Sequence, residues 1–477
     1  MIHVLRAHPV APVLLLGLGL GLAACRSSEA KKKRTGPPRP NVILVMSDDQ
    51  GWGDAGFAGH QVLQTPHLDA MAAEGLVLER FYAAAPVCSP TRASVLTGKH
   101  PARLRIPGAN AGHLPSSEST LAELLRSAGY HTGHFGKWHL GTLTRDVEDG
   151  RRGGRENEHY SPPWWHGFEE CFSTEQAVAT WDPMDNQFLA TPTRYWTGPG
   201  RTANENLAGD DSRVIVDRVL PFIERAQEKE QPFLAVVWLH APHQPVVAGP
   251  EYLARHADLT EGQQHYFGVL EAMDEQVGRL RAFLSERGLA ENTLLWFCSD
   301  NGPEGRDAQL ADPTNRYQGS TGGLRGRKRS LLEGGVRVPG LVVWPGHIEP
   351  ATRSRVPMVT SDILPTLAEL LELDHALELA SNLDGVSMAA ALQGATEPRE
   401  APIGFTSGKQ RAWLDESLKL FSRDEGETYA LYDLDVDPGE RVDLAAEQPE
   451  RVAAMRADLE AWLSSCERSG RRLLDHE

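Results

Sequence analysis

The chain has 477 residues, of which 40% are hydrophobic and 24% charged, and these proportions are ordinary for a globular protein. Its formal net charge of -17 argues against a nucleic-acid partner, because proteins that bind nucleic acids present basic surfaces to the phosphates. The length predicts one large domain followed by a smaller one.

The N-terminus is predicted to be an export signal. Arg6 precedes an apolar stretch from Val13 to Leu22 that is too short to span a bilayer, and this stretch ends at Leu22-Ala-Ala-Cys25. The pattern resembles a bacterial lipoprotein signal, which implies removal of residues 1–24 and a lipid on Cys25 that holds the protein at a bacterial membrane, in the periplasm or at the cell surface. Residues 25–39, charged and then proline-rich, would be a flexible tether. The alternative is a secretory signal with an accidental cysteine, and both readings export the chain.

Three apolar runs, each ending in polar residues, are predicted to be strands of a parallel sheet. Continuous apolar runs suit strands that are covered by helices on both faces, and helical patterns do lie between these runs. The strands are predicted at 41–47, 232–239 and 293–299, and the helices at 120–128, 211–226 and 263–287. The predicted fold is an α/β/α sandwich with a large, mostly parallel sheet, in which ligands bind beyond the carboxyl ends of the strands.

A C-terminal subdomain is predicted over residues 382–477, after a main domain at 40–381. Its pattern has short strand-like segments, a turn and an amphipathic helix, which predicts a short antiparallel sheet with one packed helix. The segments lie at 419–422 and 429–432, the turn at 435–439 and the helix at 450–466.

Two pairs of polar residues follow two of the predicted strands. Asp48 and Asp49 come after the first strand, and Asp300 and Asn301 come after the third. Oxygen ligands without histidine or thiolate favour a hard divalent cation, calcium first and magnesium second. Such pairs also occur as ordinary turn and cap residues, so the metal prediction depends on two pairs at matching strand ends.

Cys88 lies at the predicted start of a helix. Pro90 suits a first helical turn, Gly98 is a plausible stop, and Arg92 lies four residues from Cys88 on the same helix face. An anion site, a packed thiol and a thiolate nucleophile all remain open from these residues. The other cysteines, Cys171, Cys298 and Cys466 besides Cys25, show no disulfide-framework spacing.

The segment Cys88-Ser-Pro-Thr-Arg92-Ala-Ser-Val-Leu-Thr-Gly98 resembles the signature of the type I sulfatases, members of the alkaline phosphatase superfamily. In that family the cysteine of Cys-x-Pro-x-Arg is oxidised after translation to formylglycine. The likeness continues in the same order along the chain and suggests a lipoprotein arylsulfatase or N-acetylgalactosamine sulfatase. The further motifs are Pro40-Asn-Val-Ile-Leu-Val-Met-Ser-Asp-Asp49, Gly136-Lys-Trp-His-Leu-Gly141, Ala241-Pro-His-Gln-Pro245, Ser299-Asp-Asn-Gly302, Leu324-Arg-Gly-Arg-Lys-Arg-Ser-Leu-Leu-Glu-Gly-Gly335 and Leu431-Tyr-Asp-Leu-Asp-Val-Asp-Pro-Gly-Glu440.

The resemblance implies a role for each matching residue. One calcium ion would bind beside the hydrated aldehyde made from Cys88 by a formylglycine-generating maturation enzyme, and one hydroxyl of that diol would attack sulfur. His139 would handle the proton of the diol, and His243, helped by Lys328, would protonate the departing oxygen. The implied metal ligands are Asp48, Asp49, Asp300 and Asn301, and the implied sulfate-binding cations are Arg92, Lys137 and Lys328.

The basic loop around Lys328 contains one departure from the family pattern. Lys328 lies among Arg325, Arg327 and Arg329, so its assignment depends on the register before Glu333-Gly-Gly335. Arg327 stands where relatives often have glycine, which puts the geometry of this loop in question. His240, three residues before His243, is left outside the predicted site.

The expected substrate is a sulfated carbohydrate that an exo-acting enzyme desulfates, with specificity set by loops above the strand ends. The insertion 142–200 contains motifs that loosely resemble those of sulfatases acting on galactose or N-acetylgalactosamine, at the 4-position. The candidate sugar-binding residues are Trp164, Trp165, His166, Trp181 and Asp182, with His100 and His113 from the loop after the Cys88 helix. A phosphodiesterase or phosphonate hydrolase and a non-catalytic glycan-binding lipoprotein are the alternatives.

Overall fold

The structure is a computed structural model that describes residues 39–155, 158–185, 191–373 and 382–474. The predicted signal peptide, Cys25, the tether before Arg39 and the end of the predicted main domain, residues 374–381, lie outside the described residues. None of the helices in the described ranges combines the length and the apolar composition that a membrane span requires.

A ten-stranded sheet forms the centre of the described chain, in the order β11-β2-β10-β9-β1-β8-β4-β5-β6-β7. The five neighbouring strands from β9 to β5 are all parallel, and antiparallel pairs flank them on both sides. The strands are β1 Asn41–Ser47, β2 Leu76–Leu78, β4 His131–Lys137, β5 Glu170–Thr174, β6 Trp196–Gly198, β7 Arg201–Thr202, β8 Phe233–Trp238, β9 Thr293–Ser299, β10 Gly340–Val343 and β11 Thr352–Ser354. A separate parallel pair joins β3 Phe81–Tyr82 to β12 Met358–Val359.

Helices cover both faces of the sheet, which confirms the predicted α/β/α sandwich. Alternate residues of β1 enter two different cores: Val42, Leu44 and Met46 pack on one face, and Ile43 and Val45 pack on the other. Helices α2, α3 and α9 contribute to the first core, and helices α1, α4 and α6 contribute to the second. The helices are α1 Pro66–Glu74, α2 Cys88–Thr97, α3 Leu121–Ser127, α4 Asp211–Glu228, α5 Pro250–Arg255, α6 Glu261–Glu286, α7 Asp307–Leu310, α8 Glu333–Val336 and α9 Ile363–Leu370, followed by Ala389–Leu392 and Pro449–Leu474.

The described chain begins at the amino ends of the parallel strands, where residues 39 and 40 lead into β1. There the hydroxyl of Tyr130 donates to the carbonyl oxygen of Pro40 at 2.9 Å, and Asn292 Nδ2 donates to the carbonyl oxygen of Arg39 at 3.0 Å. Strand β1 then runs with both faces buried and delivers its polar residues at the opposite edge.

The C-terminal residues form the predicted antiparallel sheet and packed helix. Strands β15 Leu418–Ser422 and β16 Ala430–Asp433 match the predicted segments, whereas β13 Ile403–Ser407 and β14 Gln410–Asp415 were not predicted. The final helix runs over Pro449–Leu474, longer than predicted, and packs Met455 and Leu459 against this sheet. The boundary at residue 382 stays a prediction.

A buried ion cluster connects this small sheet to helix α8 and to the β3–β12 pair. Lys419 Nζ on β15 lies 2.8 Å from Glu333 Oε1 and 3.0 Å from Glu440 Oε1. The hydroxyl of Tyr82 donates to Glu333 Oε2 at 3.0 Å, and Arg337 Nη1 lies 3.8 Å from the same oxygen. We call these five residues the interdomain cluster. Its two carboxylates and two cations balance in charge, which burial requires.

Candidate active site

The four predicted metal ligands meet at the carboxyl edge of the parallel strands. Strands β1 and β9 are neighbours, with Ser47 opposite Ser299, so the residues after them come together. The backbone N–H of Asp49 donates to Asp300 Oδ1 at 3.2 Å, and Asn301 Nδ2 donates to Asp49 Oδ1 at 2.7 Å. All four side chains are almost completely buried.

Cys88 is the first residue of α2, as the sequence predicts, and it points into this group of carboxylates. Helix α2 ends at Gly98, whose φ of 67° is a left-handed conformation that glycine adopts without strain. The Cys88 thiol is buried and lies 3.4 Å from Asp48 Oδ1. Burial and the neighbouring Asp48 carboxylate raise the pKa of Cys88 to about 12. At neutral pH the thiol is therefore protonated and a poor nucleophile.

Arg92 lies one helical turn beyond Cys88 and is fully buried. Its Nη2 lies 2.7 Å from Asp300 Oδ2 and 3.4 Å from Asp48 Oδ2, while Nη1 donates to the carbonyl oxygen of Lys137 at 3.0 Å. Its guanidinium also stands over the ring of Trp238, 5.1 Å from the ring centroid. All of the nitrogens of Arg92 have partners. The guanidinium is therefore placed to hold the carboxylates of Asp48 and Asp300 in position.

The two lysines approach the carboxylates from different elements. Lys137, at the end of β4, places Nζ 2.5 Å from Asp48 Oδ2. Lys328 places Nζ 2.6 and 2.7 Å from the two carboxylate oxygens of Asp49. Both ammonium groups act electrostatically on Cys88, so both lie close to the predicted reacting atom.

The basic loop around Lys328 directs only this lysine to the site. Arg325 donates to the carbonyl oxygen of Glu440, and Arg327 donates to that of Gly319 at 2.6 Å. Arg329 pairs with Glu304 at the surface. Arg327 therefore stabilises the loop from inside rather than entering the site.

His139 and His243 are the two buried histidines that the sequence places at this site. The Nε2 of His139 shares a hydrogen bond of 2.7 Å with Asn110 Oδ1, and its buried Nδ1 has no hydrogen-bond partner among the described residues. The Nδ1 of His243 donates to the carbonyl oxygen of Gln244 at 2.6 Å, so Nε2 faces Asp49 Oδ2 at 3.7 Å. Burial lowers the pKa of both rings well below the ordinary value.

Burial and the nearby charges separate the pKa values of the three carboxylates. Burial opposes ionisation of Asp48, but Lys137 and the other nearby cations hold its pKa well below the ordinary value. Burial raises the pKa of Asp49 in spite of Lys328. Burial and the charge of Asp48 raise the pKa of Asp300 to about 7, against the attraction of Arg92. Three buried carboxylates this close together need compensation by positive charge.

The residues present fit a hard divalent cation. Ligand atoms of Asp48, Asp49, Cys88 and His243 all lie within 4.8 Å of one another, and Asp300 and Asn301 are bonded to Asp49. The Oδ1 atom of Asn301 is buried with no hydrogen-bond partner among the described residues. An amide oxygen without a partner, beside carboxylates, suits an oxygen-liganded cation. The backbone of Asp49, with φ of 67°, is strained as functional positions often are.

The sequence did not point to the residues that support this site from the insertion and its neighbours. Arg152 is buried and pairs with Glu175 at 2.6 Å, while its Nη2 donates to Ser89 Oγ at 3.1 Å. Ser89 Oγ in turn donates to the carbonyl oxygen of His139 at 2.6 Å. No motif marks Asn110 or Arg152, because their partners lie far away in the sequence.

The candidate sugar-binding residues separate into two groups. His166 and His100 are buried, the first bonded to Ser161 and the second packed on Trp462. Trp181 packs on Gly249, Asp182 accepts a hydrogen bond from the N–H of Gly209, and Trp164 packs against the core. Trp165 is 45% exposed and lines a surface cavity together with His113. These last two residues are therefore the ones available to a ligand.

Comparison with known proteins identifies the family. A family model for sulfatases matches residues 40–373. The N-acetylgalactosamine-6-sulfatase of the pig, Sus scrofa, is 34% identical over 398 residues, which cover 78% of this chain and 70% of that one. The crystal structure of Ps i-CgsB in complex with k-i-k-neocarrahexaose has a TM-score of 0.73 at 25% identity, over 89% of this chain and 93% of that one. The phosphonate monoester hydrolase of Agrobacterium radiobacter shares the fold, with a TM-score of 0.58 at 20% identity over 91% of this chain and 96% of that one. The chain therefore belongs to the sulfatase family, within the alkaline phosphatase-like superfamily, and is a hydrolase of sulfate esters.

Proposed function

We propose that this sulfatase is an exported carbohydrate sulfatase that works through a formylglycine made from Cys88 and one bound calcium ion. The position of Cys88 carries the proposal. Its sulfur opens α2 inside the motif Cys-x-Pro-x-Arg and lies 3.4 Å from Asp48 Oδ1, among three carboxylates and three cations. A thiol with its pKa raised to about 12 would be a poor nucleophile at this position. Conversion of Cys88 to formylglycine would place a better nucleophile there.

Formylglycine supplies, as its hydrate, an oxygen nucleophile and a second hydroxyl through which the enzyme is regenerated. The buried start of α2 would hold this group, with Asp48 on one side and the two lysines nearby. His139 borders the same pocket with a buried, unpartnered Nδ1, which suits the acceptance of a proton. Asn110 fixes the orientation of that ring through Nε2.

Calcium, when bound, lowers the pKa of an adjacent hydroxyl and stabilises negative charge. Asp48, Asp49 and Asp300 would hold it together with the free Oδ1 of Asn301. An all-oxygen set from strand-end loops favours calcium over magnesium, because magnesium demands a stricter octahedron and retains more water.

The cations of the site would stabilise the sulfate group. Lys137 reaches the site from the end of β4 and Lys328 from the basic loop. Their ammonium groups can therefore offset negative charge on the sulfate oxygens in the transition state. Arg92, with every nitrogen engaged, would instead hold Asp48 and Asp300 in place. His243 presents Nε2 to the site. This nitrogen would first take up a proton, which the negative charge of a bound sulfate ester favours, and would then donate it to the departing oxygen, helped by Lys328.

The proposed substrate is a sulfated galactose or N-acetylgalactosamine. The name of the pig relative gives N-acetylgalactosamine 6-sulfate as its substrate class, and Ps i-CgsB was solved with an oligosaccharide. The predicted lipoprotein signal at Cys25 supports export and a lipid anchor at a bacterial membrane, where such glycans are met.

A panel of singly sulfated sugars tests the substrate. We expect turnover of galactose or N-acetylgalactosamine sulfated at the 4- or 6-position, and activity confined to aryl or steroid sulfates would contradict the proposal. A matched panel of aryl phosphate and phosphonate esters tests the rival hydrolase activity, which the likeness of fold to the phosphonate hydrolase leaves as the alternative. Higher kcat/KM on phosphorus than on sulfur esters would favour that alternative.

Mass spectrometry of the protein from its own host tests the modification and the anchor. The Cys88 peptide should have the mass of the aldehyde or its hydrate, and the N-terminal peptide should begin at an acylated Cys25. An intact thiol at Cys88 in fully active enzyme would overturn the mechanism.

A further inference from the structure

A surface cavity of about 850 Å³ takes no part in the mechanism above. Its walls come from the loop after α2, from the insertion 142–200 and, at Leu473, from the C-terminal helix. The side chains that give it chemical character are those of Arg105, His113, Arg145, His159, Tyr160 and Trp165. Its volume is in the range of small-molecule sites and would hold a sugar unit.

The cavity is connected by short contacts to the segment that carries His139. The N–H of Leu114, in the cavity wall, donates to the carbonyl oxygen of Leu140 at 2.8 Å. Ser161, also in the wall, donates through Oγ to Leu114 and accepts from Trp138 Nε1 at 2.7 Å. The wall of the cavity is therefore hydrogen-bonded to residues 138–140. Arg152 also joins it to the start of α2, because it donates to the carbonyl oxygen of Gly112 in the wall at 3.0 Å and to Ser89 Oγ, next to Cys88, at 3.1 Å.

The positive charge of the cavity comes from two exposed arginines. Arg145 stands over the rings of Tyr160 and Trp165, 4.5 and 5.6 Å from their centroids. Within the described ranges neither Arg145 nor Arg105 has an ion-pair partner. One carboxylate, Glu158, also lines the cavity, and it lies 3.6 Å from His159 Nε2.

The apolar part of the cavity is an aromatic wall that is open to solvent. Trp165 is 45% exposed although it packs edge-on against Tyr160, with ring centroids 4.8 Å apart. A large exposed aromatic side chain in a polar cavity suits stacking against the apolar face of a sugar ring. The guanidinium of Arg145, held over the rings, is placed to bind a carboxylate or sulfate on the same sugar.

We propose that this cavity is a subsite for a second, negatively charged sugar of an oligosaccharide substrate. The proposal rests on the proposed carbohydrate sulfatase function and adds the charge of the neighbouring sugar to it. Trp165 would stack on that sugar, and Arg145 would bind its acidic group, with Arg105 adding positive potential. The sugar that carries the reacting sulfate would bind at Cys88.

The test compares three substrates that share one reacting sugar. They are N-acetylgalactosamine sulfated at the 4- or 6-position, the disaccharide that joins this sugar to a uronic acid, and the disaccharide in which galactose replaces the uronic acid. The wild-type enzyme should show a kcat/KM for the charged disaccharide roughly tenfold above that for the neutral one. Arg145→Ala should remove this preference and leave the monosaccharide unchanged.

Two further variants make the result specific. Trp165→Ala should lower kcat/KM for both disaccharides by a similar factor, since stacking does not depend on charge. Arg201→Ala is the matched control, because Arg201 is exposed on β7 and does not line the cavity. The unfolding midpoints of all variants are measured alongside, so that a loss through misfolding is recognised.

The outcomes separate this proposal from the one on which it rests. Turnover of the monosaccharide with equal kcat/KM for the two disaccharides, or an Arg145→Ala variant equally impaired on all three substrates, would overturn the subsite alone. No turnover of any of the three sugars, with aryl sulfate still hydrolysed, would overturn the carbohydrate function and the subsite with it.

Discussion

The site at the strand ends and the interdomain cluster both bury several charged side chains, but they differ in the atoms around which these side chains converge. In the interdomain cluster, Lys419 lies between Glu333 and Glu440, and Tyr82 and Arg337 complete the contacts of Glu333. Buried atoms without a hydrogen-bond partner among the described residues occur in both regions: Asn301 Oδ1 and His139 Nδ1 in the site, and Glu440 Oε1 and Arg337 Nε in the interdomain cluster. Within the described ranges, however, possible metal-ligand atoms converge only in the site, at Asp48, Asp49, Cys88 and His243.

The backbone does not distinguish these two regions. Asp49 and His139 have positive φ angles of 67° and 57°, and Glu440 of the interdomain cluster has one of 54°. Strained backbone and unfilled acceptors are costly unless a ligand or a reaction uses them. Neither the balance of charges nor the presence of unsatisfied groups therefore separates a catalytic site from a structural one, whereas the convergence of several possible ligand atoms does.

The largest effect is expected for Cys88→Ala, which removes the precursor of the nucleophile. Sulfate ester hydrolysis should fall by roughly 10⁴-fold or more, as for other nucleophile deletions. Cys298→Ala is the matched control, because Cys298 is a buried thiol inside β9 without a proposed role. Both variants should lose similar stability, and a loss of activity in Cys298→Ala equal to that in Cys88→Ala would refute the special role of Cys88.

A second pair of variants compares one lysine from each region. Lys419→Met should lower the free energy of unfolding by roughly 3–5 kcal/mol, because it leaves two buried carboxylates without their cation. Lys137→Met should lower kcat by roughly 10²- to 10³-fold, and it should lower stability only while calcium is absent, because Asp48 then has lost a nearby cation. Denaturant unfolding with and without added calcium separates the two: calcium should restore stability to Lys137→Met and not to Lys419→Met. The same response to calcium in both would remove the distinction between the regions.

A smaller effect is expected for Asn301→Ala, which removes the free amide oxygen. The apparent affinity for calcium should fall by roughly 10- to 100-fold, measured as the calcium concentration that restores activity after chelation. Asn206→Ala, at an exposed contact with Asp217, is the control and should leave this concentration unchanged. Activity indifferent to chelation in the wild type would exclude the cation altogether.

The smallest effect is expected for the reaction of unmodified Cys88 with iodoacetamide. In protein made without the maturation enzyme, Cys88 should resist iodoacetamide at pH 8, because its pKa of about 12 leaves almost no thiolate at that pH. The labelled fraction should rise only as the pH approaches that pKa or when the protein is unfolded, and peptide mass spectrometry locates the label. Rapid labelling of Cys88 in the folded protein at pH 8 would show a thiolate and contradict the burial argument.

The sequence predicted the central strands well because each of these buried strands is a single continuous apolar run. Strand β1 covers Asn41–Ser47 and β9 covers Thr293–Ser299, both as predicted, and the two capping boxes at Thr120 and Thr260 start helices where the patterns suggest. Strands β13 and β14 were missed because polar residues interrupt their apolar positions. Such strands are stabilised by their cross-strand partners, which a single sequence does not reveal.

For the site, motif order predicted which residues come together, and the structure does bring them together. What the motifs did not predict is the way in which each residue is used. Arg92 faces carboxylates rather than open space, and Arg152 reaches Ser89 from a distant insertion. These contacts depend on long-range packing, as does the burial of His166 against Trp138. The assigned roles stay predictions until the variants above are measured.

The direction of β1 has a consequence for how the enzyme can be held. Residues 39 and 40 are fixed at one edge of the sheet by Asn292 and Tyr130, and the seven residues of β1 carry the chain about 20 Å to the opposite edge. An attachment made directly at residue 39 would therefore lie at the end of β1 away from Cys88. Such an attachment would not obstruct the carboxyl ends of the strands, where long polymers would dock.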